Sequence, residues 1–220
     1  MTFRKEVLAE GVELYLGDCL DVLPTLAKFD LILTDPPYGI GIASNPVRQR
    51  HERKDWDARA PEKTAFDVIR NASTEQIIWG GNYFELPPSQ GFLVWDKVQP
   101  ETFSLAMCEQ AWVSFQRPAK LYQRRVVGYD KQHPTQKPVE LMEWCLTFVP
   151  GSVCDPYMGS GTTGVAAVKM GRRFTGVEID ATYFDVACKR IEAATKQADL
   201  FIAPPQPIAQ QTSMFSDEAA

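Results

Sequence analysis

The segment CDPYMGSGTTG, residues 154–164, joins a short apolar strand to a helical pattern through three glycines. Gly159, Gly161 and Gly164 satisfy G-x-G-x-x-G, a spacing that permits a tight turn and close approach of the backbone to a ligand. A following strand ends at Glu178, about where nucleoside-binding folds place the acid that accepts from both ribose hydroxyls. The order of strand, glycine loop, helix, strand and acid favours a nucleoside site. In the alternative, the glycines only allow close packing and Glu178 is a surface acid.

Outward from this segment, apolar runs of strand length alternate with helical patterns, which predicts an α/β fold with a mostly parallel, doubly wound sheet covered by helices on both faces. The predicted strands are Val12–Leu16, Asp30–Thr34, Gln76–Trp79, Gly91–Trp95, Trp112–Phe115, Val153–Asp155 and Phe174–Glu178. The predicted helices are Cys19–Lys28, Glu62–Ala72, Thr102–Glu109, Pro138–Phe148, Ser160–Met170 and Ala181–Lys196.

The predicted organisation is one catalytic domain over residues 1–196, followed by a flexible tail over 197–220 that is rich in Gln, Pro and Ala. Residues 42–61 and 116–136 interrupt the regular pattern and are predicted to be functional loops. The chain has a net charge of −5 and five widely spaced cysteines, so neither a disulfide framework nor a metal site is expected. No apolar run reaches the ~20 residues that span a bilayer, and no signal peptide is recognisable, so a cytoplasmic protein is expected.

A second segment, LILTDPPYGIG at residues 31–41, ends a buried strand on an acid and two prolines. In a doubly wound sheet this strand can lie beside the strand that ends at Asp155, at the switch point where ligands bind. Asp35 and the carbonyl of Pro36 would then be two acceptors suited to an NH2 group, and Tyr38 a flat face for a planar substrate. From composition alone, an ordinary Pro-rich turn is the favoured alternative.

Three motifs together resemble the S-adenosylmethionine-dependent DNA amino-methyltransferases: TDPPY (34–38), HPTQKP (133–138) and DPYMGSGTT (155–163). Their order resembles the permuted group of the family often called beta, and WGGNYF (79–84) and VWDK (94–97) resemble its small phage-type members. The resemblance implies a Rossmann-like methyltransferase sheet with circularly permuted motifs, of the kind found in restriction–modification systems. Tyr157 stands where the family more often has Phe.

The resemblance implies S-adenosylmethionine as the cofactor. Glu178 would bind its ribose, Asp18 its adenine amino group, and Thr135 and Lys137 would lie near its carboxylate; Asp18 would equally suit a helix N-cap, and Lys137 a solvated helix start. The full implied set is Asp18, Cys19, Asp35, Thr135, Lys137, Asp155, Tyr157, Gly159, Ser160, Gly161, Thr162, Glu178 and Ile179.

The implied catalytic turn is Asp35, Pro36, Pro37 and Tyr38. A base flipped from duplex DNA would stack on Tyr38 and present its amine to Asp35 and the Pro36 carbonyl. An acid at the first catalytic position goes more often with adenine N6 in this family, and cytosine N4 is the alternative. Arginines and lysines of the two irregular segments are the candidates for contact with double-stranded DNA: Arg48, Arg50, Arg53, Arg117, Lys120, Arg124, Arg125 and Lys131. A solvated charged face is the alternative for them.

In the tail, QADLF (Gln197 to Phe201) and QTSMF (Gln211 to Phe215) resemble the pentapeptide that binds the bacterial sliding clamp. A monomer and a homodimer are both compatible with the sequence. Two other classes of function stay open at this point. A nicotinamide-dependent oxidoreductase would use the glycine loop without Asp35, and a non-catalytic nucleic-acid binder would use the basic segments without a working cofactor site.

Overall fold

The computed structural model describes residues 3–40, 60–100, 102, 106–126 and 136–201, the last four of these as backbone only. The strands are β1 (Arg4–Ala9), β2 (Val12–Leu16), β3 (Phe29–Thr34), β4 (Ser73–Trp79), β5 (Phe92–Asp96), β6 (Cys108–Val113), β7 (Lys120–Gln123), β8 (Val153–Asp155) and β9 (Phe174–Glu178). The helices are α1 (Cys19–Val22), α2 (Lys63–Asn71), α3 (Val139–Leu146), α4 (Thr162–Lys169) and α5 (Ala181–Phe201). None of the helices in these ranges is both long and apolar enough to cross a bilayer.

All the strands in the described part of the chain form one sheet in the order β1-β2-β9-β8-β3-β4-β6-β5-β7. Its centre, from β2 through β4, is parallel, whereas β1, β6 and β5 add antiparallel pairings toward the edges. Strand β3 pairs directly with β8, with Leu31 opposite Val153 and Ile32 opposite Cys154. Because parallel strands end at the same edge, Asp35 and Asp155 come out side by side, which confirms the predicted neighbourhood.

The sheet is buried on both faces because the central strands carry unbroken apolar runs. Leu31 and Leu33 of β3 belong to one core with α3, α4 and α5. Ile32 points to the other face and packs in a second core with residues of α1 and α2, such as Phe66. The molecule is therefore an α/β fold with helices on both faces of the sheet, as predicted.

Two predicted helices differ from the structure. The segment predicted as helix Thr102–Glu109 ends inside strand β6, where Glu109 pairs with Trp95 of β5. At Cys108 and Glu109, antiparallel pairing with β5 decides the conformation, a case of tertiary context overriding local pattern. Residues 103–105 lie outside the described residues. The helix predicted to reach Lys28 is α1 followed by a 3-10 turn, Leu23–Thr25, because Pro24 cannot continue an α-helix.

Both edge strands, β1 and β7, were missing from the sequence prediction. Strand β1 forms a hairpin with β2 through Glu10 and Gly11, whose φ of 75° requires glycine. Strand β7 lies inside the 116–136 segment, which is therefore not wholly irregular. Helix α5 continues to Phe201, so the predicted boundary at Lys196 is too early and the sequence QADLF lies in a helix rather than in a tail. The second tail motif, at 211–215, and the 42–59 part of the other predicted loop lie outside the described residues.

Candidate active site

The glycine loop follows β8 as predicted and opens α4. Gly159 and Gly161 adopt φ values of 54° and 80°, which side-chain-bearing residues rarely adopt. A Cβ on Gly161 would also press against Ala187 and Ile191 of α5, at 3.0 Å from each. The loop thus needs glycine for its backbone shape and for close packing on α5.

Glu178 ends β9 next to this loop and fixes the loop's shape. One carboxylate oxygen accepts from the Gly159 amide at 2.8 Å, and the other accepts from the Asp180 amide at 2.8 Å. Burial outweighs these bonds and raises the pKa of Glu178 to about 6. Each oxygen keeps a further lone pair, so the carboxylate can still accept two hydroxyl protons from a ligand.

A cavity of about 290 Å³ lies at the carboxyl ends of β2 and β9. Five of the predicted cofactor residues line it: Asp18, Cys19, Tyr157, Glu178 and Ile179. The remaining lining residues are Gly17, Leu20, Pro37 and Pro156, together with Pro61, Glu62, Thr64 and Ala65 at and just before the start of α2. The residues near α2 were not among the predicted site residues. Asp18 also caps α1 by accepting from the Leu20 amide at 2.9 Å, which confirms the N-cap alternative for that residue.

Asp155 belongs to the same edge but is turned into the protein. It is buried, and one oxygen accepts from the Thr34 hydroxyl at 2.7 Å and from the Tyr157 amide at 3.1 Å. Burial raises the pKa of Asp155 to about 6, against these bonds and one from Thr163. Through these contacts Asp155 links the end of β3, which leads into the proline turn, to the glycine loop that follows β8.

Ser160 and Thr162, also predicted cofactor residues, are buried and contact Arg190 of α5. The Arg190 guanidinium donates to the Ser160 carbonyl at 2.5 Å and to the Ser160 hydroxyl at 2.8 Å. Arg190 was not among the predicted site residues, because a cation on an amphipathic helix resembles any solvated charge. It stabilises the glycine loop from the side of α5.

The proline turn places Asp35 and Tyr38 beside this loop. The Tyr38 hydroxyl donates to Asp35 at 2.7 Å, and its ring stacks on Tyr83 with centroids 4.8 Å apart. Burial raises the pKa of Asp35, although Lys137 opposes the shift. Burial also raises the pKa of Tyr38, and the neighbouring carboxylates add to that effect, so its hydroxyl stays protonated.

Lys137 lies at this turn rather than on a solvated helix start. Its ammonium contacts Asp35 at 2.5 Å, Glu109 at 3.0 Å and the Tyr38 hydroxyl at 3.1 Å. Glu109 also pairs with Lys97 at 2.6 Å. Glu109 and Lys97 were not among the predicted site residues, since Glu109 was predicted to lie on a helix and nothing in the sequence joins either residue to Lys137. Thr135, the other residue predicted near the cofactor carboxylate, lies outside the described residues.

The described basic residues of the 116–136 segment lie at the two opposite ends of strand β7. Strand β7 runs parallel to β5 with Asp96 opposite Gln123, so Arg124 and Arg125 follow the end nearest Lys97 and the proline turn. Arg117 and Lys120 lie at the other end of β7, where the Arg117 guanidinium is 5.8 Å from the Phe148 ring centre. Arg124 pairs with Glu140 at 3.1 Å, and Arg125 is exposed. Arg48, Arg50, Arg53 and Lys131 lie outside the described residues.

The fold and the cavity define a class: an α/β protein with a cavity beside a glycine loop and an acidic proline turn at the same edge of its sheet. A family model described as DNA methylase, of the N6/N4 methyltransferase type, matches residues 93–189. The type II methyltransferase M2.DpnII of Streptococcus pneumoniae is 42% identical over 73 residues, which are 32% of this chain and 27% of that protein. The Escherichia coli (strain K12) protein YubD is 28% identical over 82% of this chain and 90% of its own length.

Solved structures share the fold. The M1.HpyAVI complex with S-adenosylmethionine aligns over 82% of this chain and 98% of its own, with a TM-score of 0.55 and 23% identity. The cytosine-N4-specific PvuII DNA methyltransferase aligns over 85% and 90%, with a TM-score of 0.57 and 14% identity. The family match over residues 93–189, the relatives and the shared fold support an S-adenosylmethionine-dependent DNA amino-methyltransferase. The permuted motif order stays a prediction.

Proposed function

We propose that this protein transfers a methyl group from S-adenosylmethionine to the exocyclic amine of a base in double-stranded DNA, with adenine N6 as the acceptor. The observation that carries the proposal is the adjacency of the two motifs. The proline turn leaves β3 beside the glycine loop that leaves β8, and the Thr34 hydroxyl bonds to Asp155 at 2.7 Å across the junction. A methyl donor on the loop and an amine on the turn can then meet at one edge of the sheet.

The residues present fit the cofactor. Glu178 keeps acceptors for two ribose hydroxyls while it holds the glycine loop, and Asp18 keeps an acceptor oxygen for the adenine amino group beyond its cap bond. Tyr157 supplies an aromatic wall to the same cavity. S-adenosylmethionine, when bound, supplies an electrophilic methyl group on its sulfonium. The largely apolar lining suits the purine.

Asp35 and the Pro36 carbonyl are the acceptors that orient the target amine. An exocyclic amine conjugated with its ring is a poor nucleophile, and two hydrogen bonds from its protons favour a pyramidal nitrogen whose lone pair can attack. Tyr38 provides the stacking surface, with Tyr83 behind it. As the bond from nitrogen to the methyl carbon would form, the bond from that carbon to sulfur would break, leaving a neutral thioether, and the Asp35 carboxylate would stabilise the positive charge that develops on nitrogen. The methylated amine then loses one proton to solvent.

Each oxygen of Asp35 already has one partner, yet the carboxylate can accept further hydrogen bonds. The Tyr38 hydroxyl uses one lone pair of one oxygen, and Lys137 uses one of the other. A carboxylate offers about four such positions, so the incoming amine need not displace either partner. No covalent bond between enzyme and base is required, and the cysteines at this edge, Cys19 and Cys154, are buried with raised thiol pKa values.

Asp35 is also the reason for preferring adenine. In the family that the motifs resemble, an acid at the first catalytic position goes more often with adenine, and Ser with cytosine N4. The fold does not separate the two bases, because a cytosine-N4-specific enzyme aligns over 85% of this chain. Nucleoside mass spectrometry of DNA methylated by the purified protein distinguishes 6-methyladenine from 4-methylcytosine directly.

The test of the proposal is transfer of labelled methyl from S-adenosylmethionine to DNA by the wild type and by Asp35→Ala. Asp35→Ala should lose transfer by roughly a thousandfold or more, as removal of a transition-state acceptor does, while binding S-adenosylmethionine nearly normally. Asp67→Ala, which removes an exposed acid from α2, is the matched control and should keep wild-type transfer. Normal transfer by Asp35→Ala would refute the role given to this carboxylate, and no transfer by the wild type to mixed-sequence DNA would refute the activity.

A further inference from the structure

The site contains a cluster of charged side chains, centred on the buried Lys137, that reaches beyond the motif residues. Its members are Asp35, Lys137, Glu109 and Lys97, linked in that order by contacts of 2.5, 3.0 and 2.6 Å. The side chain of Lys137 is 4% exposed, that of Glu109 24% and that of Lys97 13%. Buried charges are costly unless each is paired, so the alternation of acid and base in this cluster is required for all four to stay ionised.

The cluster is assembled from separate parts of the fold. Asp35 follows β3, Glu109 lies on β6, Lys97 follows β5 and Lys137 precedes α3. Antiparallel pairing of β5 and β6 sets Asp96 opposite Cys108 and so brings Lys97 next to Glu109. Four elements thus converge on the acid that would receive the amine.

Lys137 creates an electrostatic problem that Glu109 solves. An ammonium 2.5 Å from Asp35 opposes the growth of positive charge on an amine bound to the same carboxylate. Glu109 sits on the other side of that ammonium and neutralises it, so the negative charge of Asp35 is left to act on the amine. Lys97 in turn holds Glu109 in place and limits how strongly Glu109 draws Lys137 away from Asp35.

We propose that Glu109 and Lys97 are positioning residues for methyl transfer, which hold Lys137 against Asp35 and balance its charge without contacting cofactor or base. This inference rests on the proposed methyltransferase function. The two residues have opposite charges and therefore opposite effects on Asp35. Removing the Glu109 charge strengthens the electrostatic stabilisation of the Asp35 carboxylate by Lys137. Removing the Lys97 charge weakens the positive electrostatic potential at Asp35.

Other groups near the cluster also bear on its titration. Tyr38 donates to Asp35 and contacts Lys137, and Tyr83 stacks on Tyr38. From the other elements, Trp79 and Cys145 face Lys137, and Asp155 acts on Asp35 through space. The Tyr38 hydroxyl also contacts Glu109 at 3.5 Å, so Glu109→Gln changes its surroundings as well, whereas Lys97→Met leaves this contact in place. Lys137 and Lys97 hold the pKa of Glu109 near 2 despite burial, so Glu109 is ionised over the whole range of an assay.

The experiment measures the single-turnover rate of methyl transfer against pH, with S-adenosylmethionine affinity by calorimetry, for the wild type, Glu109→Gln, Lys97→Met and Lys97→Arg. Glu109→Gln should lower the rate near neutral pH roughly ten- to hundredfold, as misplaced catalytic groups do, with little change in cofactor affinity. The acidic midpoint of the profile should move down by about one pH unit in Glu109→Gln and up in Lys97→Met, because a nearby anion raises and a nearby cation lowers the pKa of Asp35. Lys97→Arg should restore the wild-type profile.

Opposite shifts of the two variants support the inference, because a loss of folding or packing alone would not move the midpoint in both directions. Unchanged midpoints in both variants, or shifts of the same sign, overturn it even when the wild type is active. If Glu109→Gln does not fold, Lys97→Met decides alone: an upward shift supports the inference and an unchanged midpoint refutes it. An inactive wild type overturns the inference together with the function on which it rests.

Discussion

Asp35 and Asp155 lie at the ends of neighbouring strands but differ in their hydrogen-bond partners and therefore in their roles. Asp35 retains acceptor positions at the site and pairs with Lys137, whereas Asp155 accepts from Thr34 and Tyr157 inside the protein. Both carboxyls have raised pKa values because both are desolvated. No cation is among the groups that shift the pKa of Asp155, so its ionised form lowers the stability of the folded protein. Asp155 contributes to the site by holding the ends of β3 and β8 together.

The cost at Asp155 predicts a pH-dependent gain of stability on substitution by Asn. The folded-state pKa of about 6 lies above the ordinary 3.8, so the stabilisation from the neutral acid is complete below pH 3.8 and is lost as pH rises through about 6. At pH 8 the wild type should therefore be less stable by about 3 kcal/mol than a chain in which this group does not titrate. In Asp155→Asn, the side-chain oxygen can still accept from Thr34 and Tyr157.

Urea unfolding at pH 4 and pH 8 measures this effect. Asp155→Asn should be close to the wild type at pH 4 and more stable at pH 8, so the difference between the two proteins should grow with pH. Equal differences at both pH values would show that Asp155 does not titrate as its burial implies. The same data at intermediate pH locate the midpoint of the change.

At the scale of elements, the turn after β4 supports the tyrosine of the proline turn. Gly80 has a φ of 72°, and a Cβ there would collide with the Tyr38 ring. Gly171, after α4, has a φ of 66° but nothing within 4 Å of such a Cβ. The two glycines therefore share a backbone requirement, and only Gly80 leaves room for an active-site ring.

This pair predicts that Gly80→Ala and Gly171→Ala have similar backbone costs but different effects on catalysis. Each should lose about 1–2 kcal/mol of stability, since an L-residue is strained at positive φ. Gly80→Ala should in addition displace Tyr38 and reduce methyl transfer roughly a hundredfold, because a small misplacement of a positioning group costs that much. Thermal unfolding and steady-state transfer assays report the two effects separately, and wild-type transfer by Gly80→Ala would contradict the packing argument.

The elements that the sequence predicted well are those buried on both faces. LIL at 31–33 and IIW at 77–79 are unbroken apolar runs that fit a central parallel strand. Strand β1 was missed because RKEVLA is largely exposed and its charges resemble a chain terminus. The predicted strand Trp112–Phe115 overlaps β6 only at Trp112 and Val113, because pairing with β5 and β4, which no local pattern reveals, sets the bounds of β6. Prediction from the sequence therefore succeeds for strands whose burial on both faces produces an unbroken apolar run. It fails for strands whose position depends on pairing with residues distant in the sequence.

The same division holds for the site at the scale of the whole molecule. Glu178, Asp35 and Asp155 were predicted as site residues because they stand at strand ends next to motifs with a mechanism. Glu109 and Lys97 were not, since their contact with Lys137 exists only after four elements assemble. The basic residues of the 116–136 segment are grouped in the sequence, but β7 places them at its two opposite ends, which the sequence did not indicate.

That separation predicts which arginines contact DNA. Arg125 is exposed at the edge that carries Asp35, whereas Arg117 lies at the other end of β7 with its guanidinium near Phe148. Because Arg124 forms an ion pair with Glu140, Arg125 is the better residue for testing contact with DNA. Arg125→Ala should weaken DNA binding and reduce the salt dependence of log Kd by about one phosphate contact, because each neutralised phosphate releases counterions.

Arg117→Ala is the matched control, as it removes the same charge from the same segment and leaves the net charge of the chain equal to that of Arg125→Ala. Fluorescence anisotropy with a labelled duplex at several salt concentrations gives both the affinity and the slope. Only Arg125→Ala should change the slope, since the two arginines differ in the edge of the sheet at which they lie and not in their effect on the protein's overall field. Equal losses in the two variants would mean that DNA contacts both ends of β7, and the catalytic edge would then be only part of the DNA-binding surface.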